Sequence, residues 1–346
     1  MMTGTMTPMQ RTLATMGFKE PDRVPWFLLC TMHGARELGL PIPTYFSKAE
    51  YVAKGQLALQ KKYDSDCYYA FFSAAAEAEA WGGSIIYRED GPPNAGQPVI
   101  RTPEDIERIE VPVIEESPGL QKTLRLIELL KPAAGTDIPI ISSVVSPFSV
   151  PVMQMGFEAY LDLIYTRPDL FSLLMKKNTE FCIAWANALF DAGAAALGYF
   201  DPLASPDMIP RDLFRTTGLP VARTVVPKVK GPMAAHLASG RTLPVIGDLA
   251  ATGFAGVGIS TNDDLSAVKE ACRGKLTMMG NLNGISMRHW TPAETEKTVK
   301  EVILQAGKGG GFILSDNHGE IPWQVPESVL LAISRAVKKY GTYPLD

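Results

Sequence analysis

Two histidines, His236 and His318, each follow a short apolar run of the kind that forms a buried strand. PMAA (232–235) precedes the first and GFIL (311–314) precedes the second, in a chain of 346 residues with four histidines. In a barrel of alternating strands and helices, residues at the carboxyl ends of the strands face the active site. Imidazoles at that position bind metal ions or transfer protons, so these two side chains are the first candidates for chemistry.

The local sequence leaves two explanations open for His236, a site residue or a loop contact, and favours one for His318. His236 lies in AAHLASG, where a turn follows at once, so the ring is equally well explained as a cap of that loop or a partner of a carbonyl. His318 lies in SDNHGEIP, where glycine and proline confine the backbone around the ring and the carboxylates of Asp316 and Glu320. This arrangement favours a role in the site for His318.

Three further carboxylates follow predicted strands. Glu77 and Glu79 lie in FFSAAAEAEAWGG, and a carboxylate among alanines is unfavourable to bury without a partner. We expect Glu79 to be the inward one and to meet a cation, a metal or a donor; the alternative is that both lie on a solvated helix face. Asp201 begins DPLASP, where proline prevents helix continuation and leaves a carboxylate able to act as a base or to anchor a ligand.

Other polar and aromatic side chains are candidates for contact with a substrate. His33 in CTMHGAR and Asn281 after KLTMMG follow predicted strands, and a polar mouth on an apolar barrel is the usual form of a small-molecule site. For any one of the aromatic candidates taken singly, packing in the barrel core is the better explanation. The aromatic candidates for an apolar pocket are Trp26, Tyr69, Phe148, Tyr199 and Trp323.

The elements that would position these residues alternate regularly. Helical signals occupy the connections: one run ends at Gly193, and Thr291 with Glu294 forms a capping box. Near-continuous apolar strands alternating with amphipathic helices indicate parallel strands covered on both faces. We predict an α/β fold, a (β/α)8 TIM barrel, as one domain over 1–346, with an N-terminal helical extension and an insertion after the second strand at 91–118. The predicted strands are 24–29, 67–72, 139–144, 195–200, 232–236, 254–259, 275–280 and 311–314.

Composition excludes several classes of protein. With 33 basic and 37 acidic residues the formal charge is −4, and no run of Lys or Arg would follow a phosphate backbone, so nucleic acid is not expected as a partner. Four scattered cysteines without CxxC spacing indicate a reducing compartment. No signal peptide and no run of eighteen apolar residues is present, so we expect a cytoplasmic protein without a membrane partner; a homodimer is compatible with the sequence.

Five blocks of the chain resemble the uroporphyrinogen decarboxylase superfamily. The superfamily fold is a (β/α)8 barrel with its site at the carboxyl ends of the strands, in agreement with the independent strand count. Decarboxylases of the superfamily carry an arginine-rich motif, RQAGR, after the first strand, whereas LLCTMHGAR here keeps only Arg36, and their aspartate after the second strand is absent from FFSAAAE. The blocks are MTPMQRTLATMGFKEPDRVPWF, ISSVVSPFSVPVMQMGFEAYL, DAGAAALGYFDPLAS, KLTMMGNLNG and GFILSDNHGEIPWQVPESVLLAI.

The resemblance implies the corrinoid-dependent methyltransferase branch. Its coenzyme M enzymes bind zinc through His-x-Cys and a later Cys, where this chain has His236-Leu237-Ala238 and Asn317-His318-Gly319. Loss of both thiolates makes a bound zinc ion a harder Lewis acid that suits oxygen. The expectation is a zinc-dependent methyltransferase that moves a methyl group from a small methylated substrate, a methyl ether above all, to cobalamin on a corrinoid partner protein.

In this hypothesis His236, His318 and Glu79 hold zinc, with Asp201 as the second choice of carboxylate, and His318, Asp201 and His236 are catalytic. Zinc would polarise the substrate oxygen while Co(I) attacks the methyl carbon. Two alternatives stay open. One is a metal-independent, decarboxylase-like enzyme with His318 and Asp201 in acid/base roles, and the other is a protein that binds a corrinoid or tetrapyrrole without turnover.

Overall fold

The computed structural model describes residues 5–345. Its strands are β1 (Tyr68–Tyr69), β2 (Ile85–Ile86), β3 (Asn94–Ala95), β4 (Ile140–Val145), β5 (Ala196–Phe200), β6 (Met233–His236), β7 (Gly256–Gly258), β8 (Thr277–Leu282) and β9 (Phe312–Asp316). Its α-helices are α1 (Pro8–Met16), α2 (His33–Leu38), α3 (Ile42–Tyr45), α4 (Ala49–Tyr63), α5 (Ala75–Ala80), α6 (Asp105–Arg108), α7 (Pro118–Ala134), α8 (Pro151–Met155), α9 (Phe157–Thr166), α10 (Pro168–Ala192), α11 (Arg211–Thr216), α12 (Gly218–Val225), α13 (Ile246–Ala250), α14 (Leu265–Cys272), α15 (Pro292–Ala306) and α16 (Glu327–Tyr340).

Seven strands form one parallel sheet that curls into a barrel. The strand order is β1-β4-β5-β6-β7-β8-β9, so each strand pairs with its neighbour in the chain once the β2–β3 hairpin is set aside. Helices cover the outside of this sheet, as a right-handed strand–helix–strand connection requires. The predicted α/β barrel is confirmed, and seven of the eight predicted strands lie where they were expected.

The eighth position, predicted as a strand at 24–29, is filled by an extended segment with few ladder hydrogen bonds. The amide of Phe27 donates to the carbonyl of Leu314 in β9 at 2.9 Å, and the amide of Asp66 donates to the carbonyl of Trp26 at 3.1 Å. This segment therefore bridges β9 and the residues before β1, which closes the barrel. It forms no regular strand because Pro25 has no amide proton and the amide of Trp26 donates to the Asp66 carboxylate instead.

The predicted insertion and helix ends are present. Residues 91–118 contribute β3, which pairs antiparallel with β2, followed by the short helix α6. The long helix α10 ends before Gly193, which has a φ of 121° that favours glycine. The capping box at α15 is formed, since Thr291 and Glu294 each accept a hydrogen bond from the other's backbone amide. None of the described helices is long and apolar enough to cross a lipid bilayer.

Helix α1 lies across the amino-terminal end of the barrel and is held there by buried charges. Arg11, on α1, donates to Asp22 at 2.7 Å and to Asp66. Arg23 donates to the same Asp66 carboxylate at 2.7 Å, and the Asp66 side chain is fully buried. A buried ion pair fixes geometry because breaking it leaves an uncompensated charge. This network anchors the predicted N-terminal helical extension.

The inside of the barrel carries small side chains at one level. By strand register, one inward-facing residue from each of five neighbouring strands forms a continuous row, which we call the small layer. In TIM barrels the inward-facing positions are usually filled by bulky branched residues. Along β4, β5 and β6 most inward positions are more exposed than the outward ones, so the hydrophobic core lies between strands and helices. The small layer consists of Ser143, Gly198, Ala234, Gly256 and Thr277.

Candidate active site

The small layer opens a cavity inside the barrel, which we call the barrel cavity. Water centres can occupy about 90 Å³ of it, several times the volume that one water molecule needs. Thr12 and Met16 of α1 line it at the amino-terminal end, and His236, Asp316 and Gly319 line it at the carboxyl-terminal end. No Lys or Arg is found among the described residues that line it. The cavity is therefore apolar, with its ionisable groups at one end.

His236, at the end of β6, faces this cavity as a neutral hydrogen-bond donor. Its Nδ1 accepts from the backbone amide of Ala238 at 3.1 Å, so the neutral ring carries its proton on Nε2. Burial, with the charge of His318, lowers the pKa of His236 to about 4. The ring stacks on Phe200 with centroids 4.8 Å apart. Gly258 makes room for it, because a Cβ there would lie 2.8 Å from the His236 ring.

Asp316 ends β9 and is the carboxylate that lines the cavity. Its Oδ2 accepts from the backbone amides of His318 and Gly319, each at 2.8 Å, which folds the segment into a tight turn. Burial raises the pKa of Asp316 to about 6. Gly319 has a φ of 121°, and a Cβ there would lie 3.0 Å from the Phe200 ring. The turn therefore packs closely against the ring on which His236 stacks.

His318 lies half-buried at the rim of the barrel. Its Nε2 is 3.2 Å from Oδ1 of Asn283, and this oxygen also accepts from the amide of Ser286. An oxygen that already accepts from an amide requires Nε2 of His318 to be the donor, which leaves Nδ1 with a free lone pair. Burial lowers the pKa of His318. The ring is therefore mainly neutral at neutral pH, with the Nδ1 lone pair unprotonated.

A second carboxyl group, Glu320, lies behind Asp316. It accepts from the amide of Met32 at 2.8 Å and from the hydroxyl of Thr31. Burial and the nearby Asp316 charge raise the pKa of Glu320 to about 8. Burial, together with the charges of Glu320 and Asp316, also raises the pKa of the Cys30 thiol. Glu320 is therefore mainly protonated at neutral pH, and the Cys30 thiol stays neutral.

The structure places Asp201 outside the barrel cavity. Residues 196, 198 and 200 of β5 line the cavity, so the pleat turns Asp201 outward. Its carboxylate accepts from the hydroxyl of Ser149 at 2.6 Å and organises the loop after β4. Burial raises the pKa of Asp201 to about 6. The predicted catalytic role has no support from this position, because Asp201 does not line the cavity that His236 faces.

The two glutamates after β1 exchange their predicted positions. Glu77 is the buried one, and its carboxyl accepts from the amide of Val145 at 2.9 Å. Burial raises the pKa of Glu77 to about 8. Glu79 is half-buried and lines a small side pocket next to Gly119 of α7. The expectation that Glu79 is the inward carboxylate is wrong, because side chains two residues apart on α5 point in different directions and Glu77 is the one that faces the core.

Among the aromatic candidates, the structure brings only Tyr69 to the barrel cavity. Trp26 faces the helices and donates from its indole to the carbonyl of Asp64. Phe148 packs against Tyr160 behind the barrel, and Tyr199 packs against Phe254. Three of the candidates therefore belong to the core between strands and helices, which is the alternative that the sequence left open.

The remaining candidates hold loops in place. His33 is buried at the start of α2, and its Nε2 donates to the carbonyl of Pro322 at 3.1 Å. Burial and the charge of Arg36 lower the pKa of His33 to about 4. Trp323 stacks beneath Arg36, whose guanidinium carbon lies 4.3 Å from the ring centroid. Asn281 donates to the carbonyl of Ser260. These three candidates fix the rim and do not line the cavity.

The predicted zinc ligands do not fit a zinc ion. Within residues 5–345, no three His, Cys, Asp or Glu side chains are grouped so that they could hold a metal. Nε2 of His236 carries a proton in its observed hydrogen-bonding state and has no lone pair for a metal, and Glu79 lies in a separate pocket. The set of His236, His318 and Glu79 is therefore corrected: the structure does not assemble it, nor does it assemble the version with Asp201.

Comparison with known proteins agrees with the fold. The chain is 24% identical to a methylcobamide:CoM methyltransferase (MtaA) of Methanosarcina barkeri, over 96% of this chain and 98% of the relative. It is 24% identical to a uroporphyrinogen decarboxylase of Pseudoalteromonas atlantica, over 85% and 84%. Among solved structures, a methyltransferase from Methanosarcina mazei superposes with a TM-score of 0.84 at 22% identity, covering 97% of this chain and 99% of that chain.

A family model extends this likeness along nearly the whole described chain. The model of uroporphyrinogen decarboxylase (URO-D) matches residues 7–340. The matched region includes the helix across the barrel floor, the strands of the barrel and the turn at Asp316. The chain belongs to the uroporphyrinogen decarboxylase (URO-D) family.

Proposed function

We propose that this protein is a methyltransferase that moves a methyl group from a small methyl ether to the cobalt of a corrinoid carried by a partner protein. The observation that carries the proposal is that a neutral His236 N–H donor and the Asp316 carboxyl group both line one end of the same apolar cavity. The name of the Methanosarcina barkeri relative, methylcobamide:CoM methyltransferase, refers to a methylated corrinoid and supports the class of reaction.

The two groups have complementary parts in this reaction. The Nε2–H of His236 donates to the ether oxygen and stabilises the negative charge that develops there. As the methyl carbon is transferred to Co(I), the C–O bond breaks, its electron pair stays on oxygen, and the cobalt becomes a methyl–Co(III) species. The oxygen then takes the proton of Asp316, whose raised pKa makes the acid form available near neutral pH. Water returns a proton to Asp316 after the alcohol leaves.

No step of the proposed reaction uses zinc, because the side chains predicted as zinc ligands do not fit the metal. Protonation of the leaving oxygen replaces polarisation by a Lewis acid. His318 remains a candidate at the rim, where its free Nδ1 lone pair can relay a proton between Asp316 and water.

The decarboxylase-like alternative stays open because a uroporphyrinogen decarboxylase is among the relatives, but its acid/base pair of His318 and Asp201 does not line the barrel cavity. Decarboxylation of a substrate rich in carboxylates needs cationic partners, and the described lining of the cavity has no Lys or Arg. Arg36 is already engaged by the carbonyls of Trp323 and Val325. Simple carriage of a corrinoid would not need a proton donor and a hydrogen-bond donor facing the same cavity.

The test is transfer from a methoxylated substrate to reduced cobalamin, followed by the change of the visible spectrum from Co(I) to methyl–Co(III). We expect Asp316→Asn to lower the rate by about a hundredfold or more, the usual contribution of a general acid. Asp201→Asn is the matched control, because Asp201 is equally buried with its pKa raised to about 6 but lies outside the cavity. Equal losses in the two variants, at equal folded fraction, would contradict the assignment of Asp316.

A further inference from the structure

Two buried hydroxyl groups at the far end of the barrel cavity have no hydrogen-bond partner. They belong to Thr12 on α1 and Thr277 on β8, which are 6% and 2% exposed and both line the cavity. A buried hydroxyl without a partner has lost its hydrogen bonds to water and gained none in return, which is destabilising. Both residues line the cavity, where rotation about the Cα–Cβ bond would bring either hydroxyl to a polar group that enters.

The small layer makes the space for such a molecule. Thr277 is itself a member of this layer and is in register with Gly256 and, through it, with Ala234. Because the layer consists of Ser, Gly, Ala, Gly and Thr, the level that usually closes a barrel is open here. The ligand would fill the volume that bulky residues occupy in other barrels.

The distance between the two polar ends sets the size of the ligand. His236 lies two residues further along β6 than Ala234, which is level with Thr277. At about 3.3 Å per strand residue, the two levels are about 7 Å apart along the strands. This span suits one aromatic ring that carries a polar group at each end. The absence of Lys and Arg from the described lining favours an uncharged molecule.

We propose that the barrel cavity binds an uncharged molecule of about one aromatic ring, with a hydrogen-bonding group at each end, and that Thr12 and Thr277 hold the end away from the rim. This inference rests on the proposed function only in placing a methyl ether at the His236 end. The substrate class is then a methoxylated phenol whose hydroxyl group lies opposite the methoxy group. The ligand hydroxyl would form hydrogen bonds with both threonine hydroxyls, so that neither would remain without a partner.

The experiment measures binding, without any corrinoid, of 4-methoxyphenol and of anisole by isothermal titration calorimetry. Because the hydroxyl of 4-methoxyphenol adds one hydrogen bond that anisole cannot form, we expect 4-methoxyphenol to bind about tenfold more tightly. Thr277→Val should remove this preference while anisole binding is kept. Thr15→Val is the matched control, because the Thr15 hydroxyl is also buried and unpaired but does not line the cavity. Ala234→Leu, which fills the small layer, should abolish binding of both molecules.

The outcomes separate this inference from the proposed function. Equal affinity for the two molecules in the unmodified protein, or a preference that persists in Thr277→Val, would overturn the inference, as would binding that survives Ala234→Leu in a folded variant. Binding with the expected pattern but without methyl transfer to Co(I) would leave the pocket in place and refute the proposed function alone.

Discussion

Replacement of Glu77 by Gln measures how much the buried Glu77 carboxyl group contributes to stability at each pH. The sequence predicted Glu79, and not Glu77, as the inward carboxylate of α5. Burial raises the pKa of Glu77 from 4.5 to about 8. Between these values the unfolded chain releases the proton while the folded protein keeps it, so the contribution of Glu77 to stability falls as pH rises. Each pH unit in this window changes the free energy of unfolding by about 1.4 kcal/mol.

The assay is urea unfolding of the unmodified protein and of Glu77→Gln at about pH 5.5 and pH 7.5, both inside the window. Gln keeps an oxygen that can accept from the amide of Val145 but does not titrate. We expect the free energy of unfolding of the variant, relative to the unmodified protein, to rise by about 2–3 kcal/mol between the two pH values. Glu79→Gln, the same substitution on the same helix, controls for effects on α5. Parallel pH profiles for Glu77→Gln and the unmodified protein would refute the reasoning.

Three further predictions concern the site and its support. Because the acid form of Asp316 is required and its pKa is about 6, the methyl-transfer rate should fall about tenfold per pH unit above this value; a rate that stays flat to about pH 8 would contradict that role. Treatment with EDTA should leave the rate unchanged, whereas a loss that zinc alone restores would show that the donor analysis is wrong. Asp66→Ala leaves Arg11 and Arg23 without their buried partner, so the free energy of unfolding should fall by about 3–5 kcal/mol in urea titrations; a loss below about 1 kcal/mol would contradict the anchoring role.

The strands were predictable because their apolar runs are local features of the sequence. The predicted run at 232–236 and the observed β6 differ by one residue. The segment at 24–29 looked like a strand on the same criterion, yet the amide of Trp26 donates to Asp66, forty residues away in the chain. A hydrogen bond between residues so far apart in the chain cannot be detected from the pattern of apolar residues.

The site was predictable only in part, because sequence gives the type of a residue and not the direction of its side chain. His236 was found from its place at a strand end. Asp316 was noted beside His318 but not chosen, although Asp followed three residues later by Gly is a signal for the turn that positions it. Asp201 could have been placed outward from the alternation of β5 alone, if Phe200 had first been known to face inward. The small layer depends on register between strands and could not be derived from any single segment.

The small layer also changes what holds the barrel together. The small layer buries little apolar surface of its own, so at this level the barrel without a ligand depends on the outer contact between strands and helices. A ring bound in the cavity would complete the interior as bulky side chains do elsewhere, and it would do so only in the folded state. At a hundred times its dissociation constant, such a ligand raises the free energy of unfolding by about 2.7 kcal/mol. The resistance of the protein to heat and proteolysis would then follow the supply of the molecule it consumes.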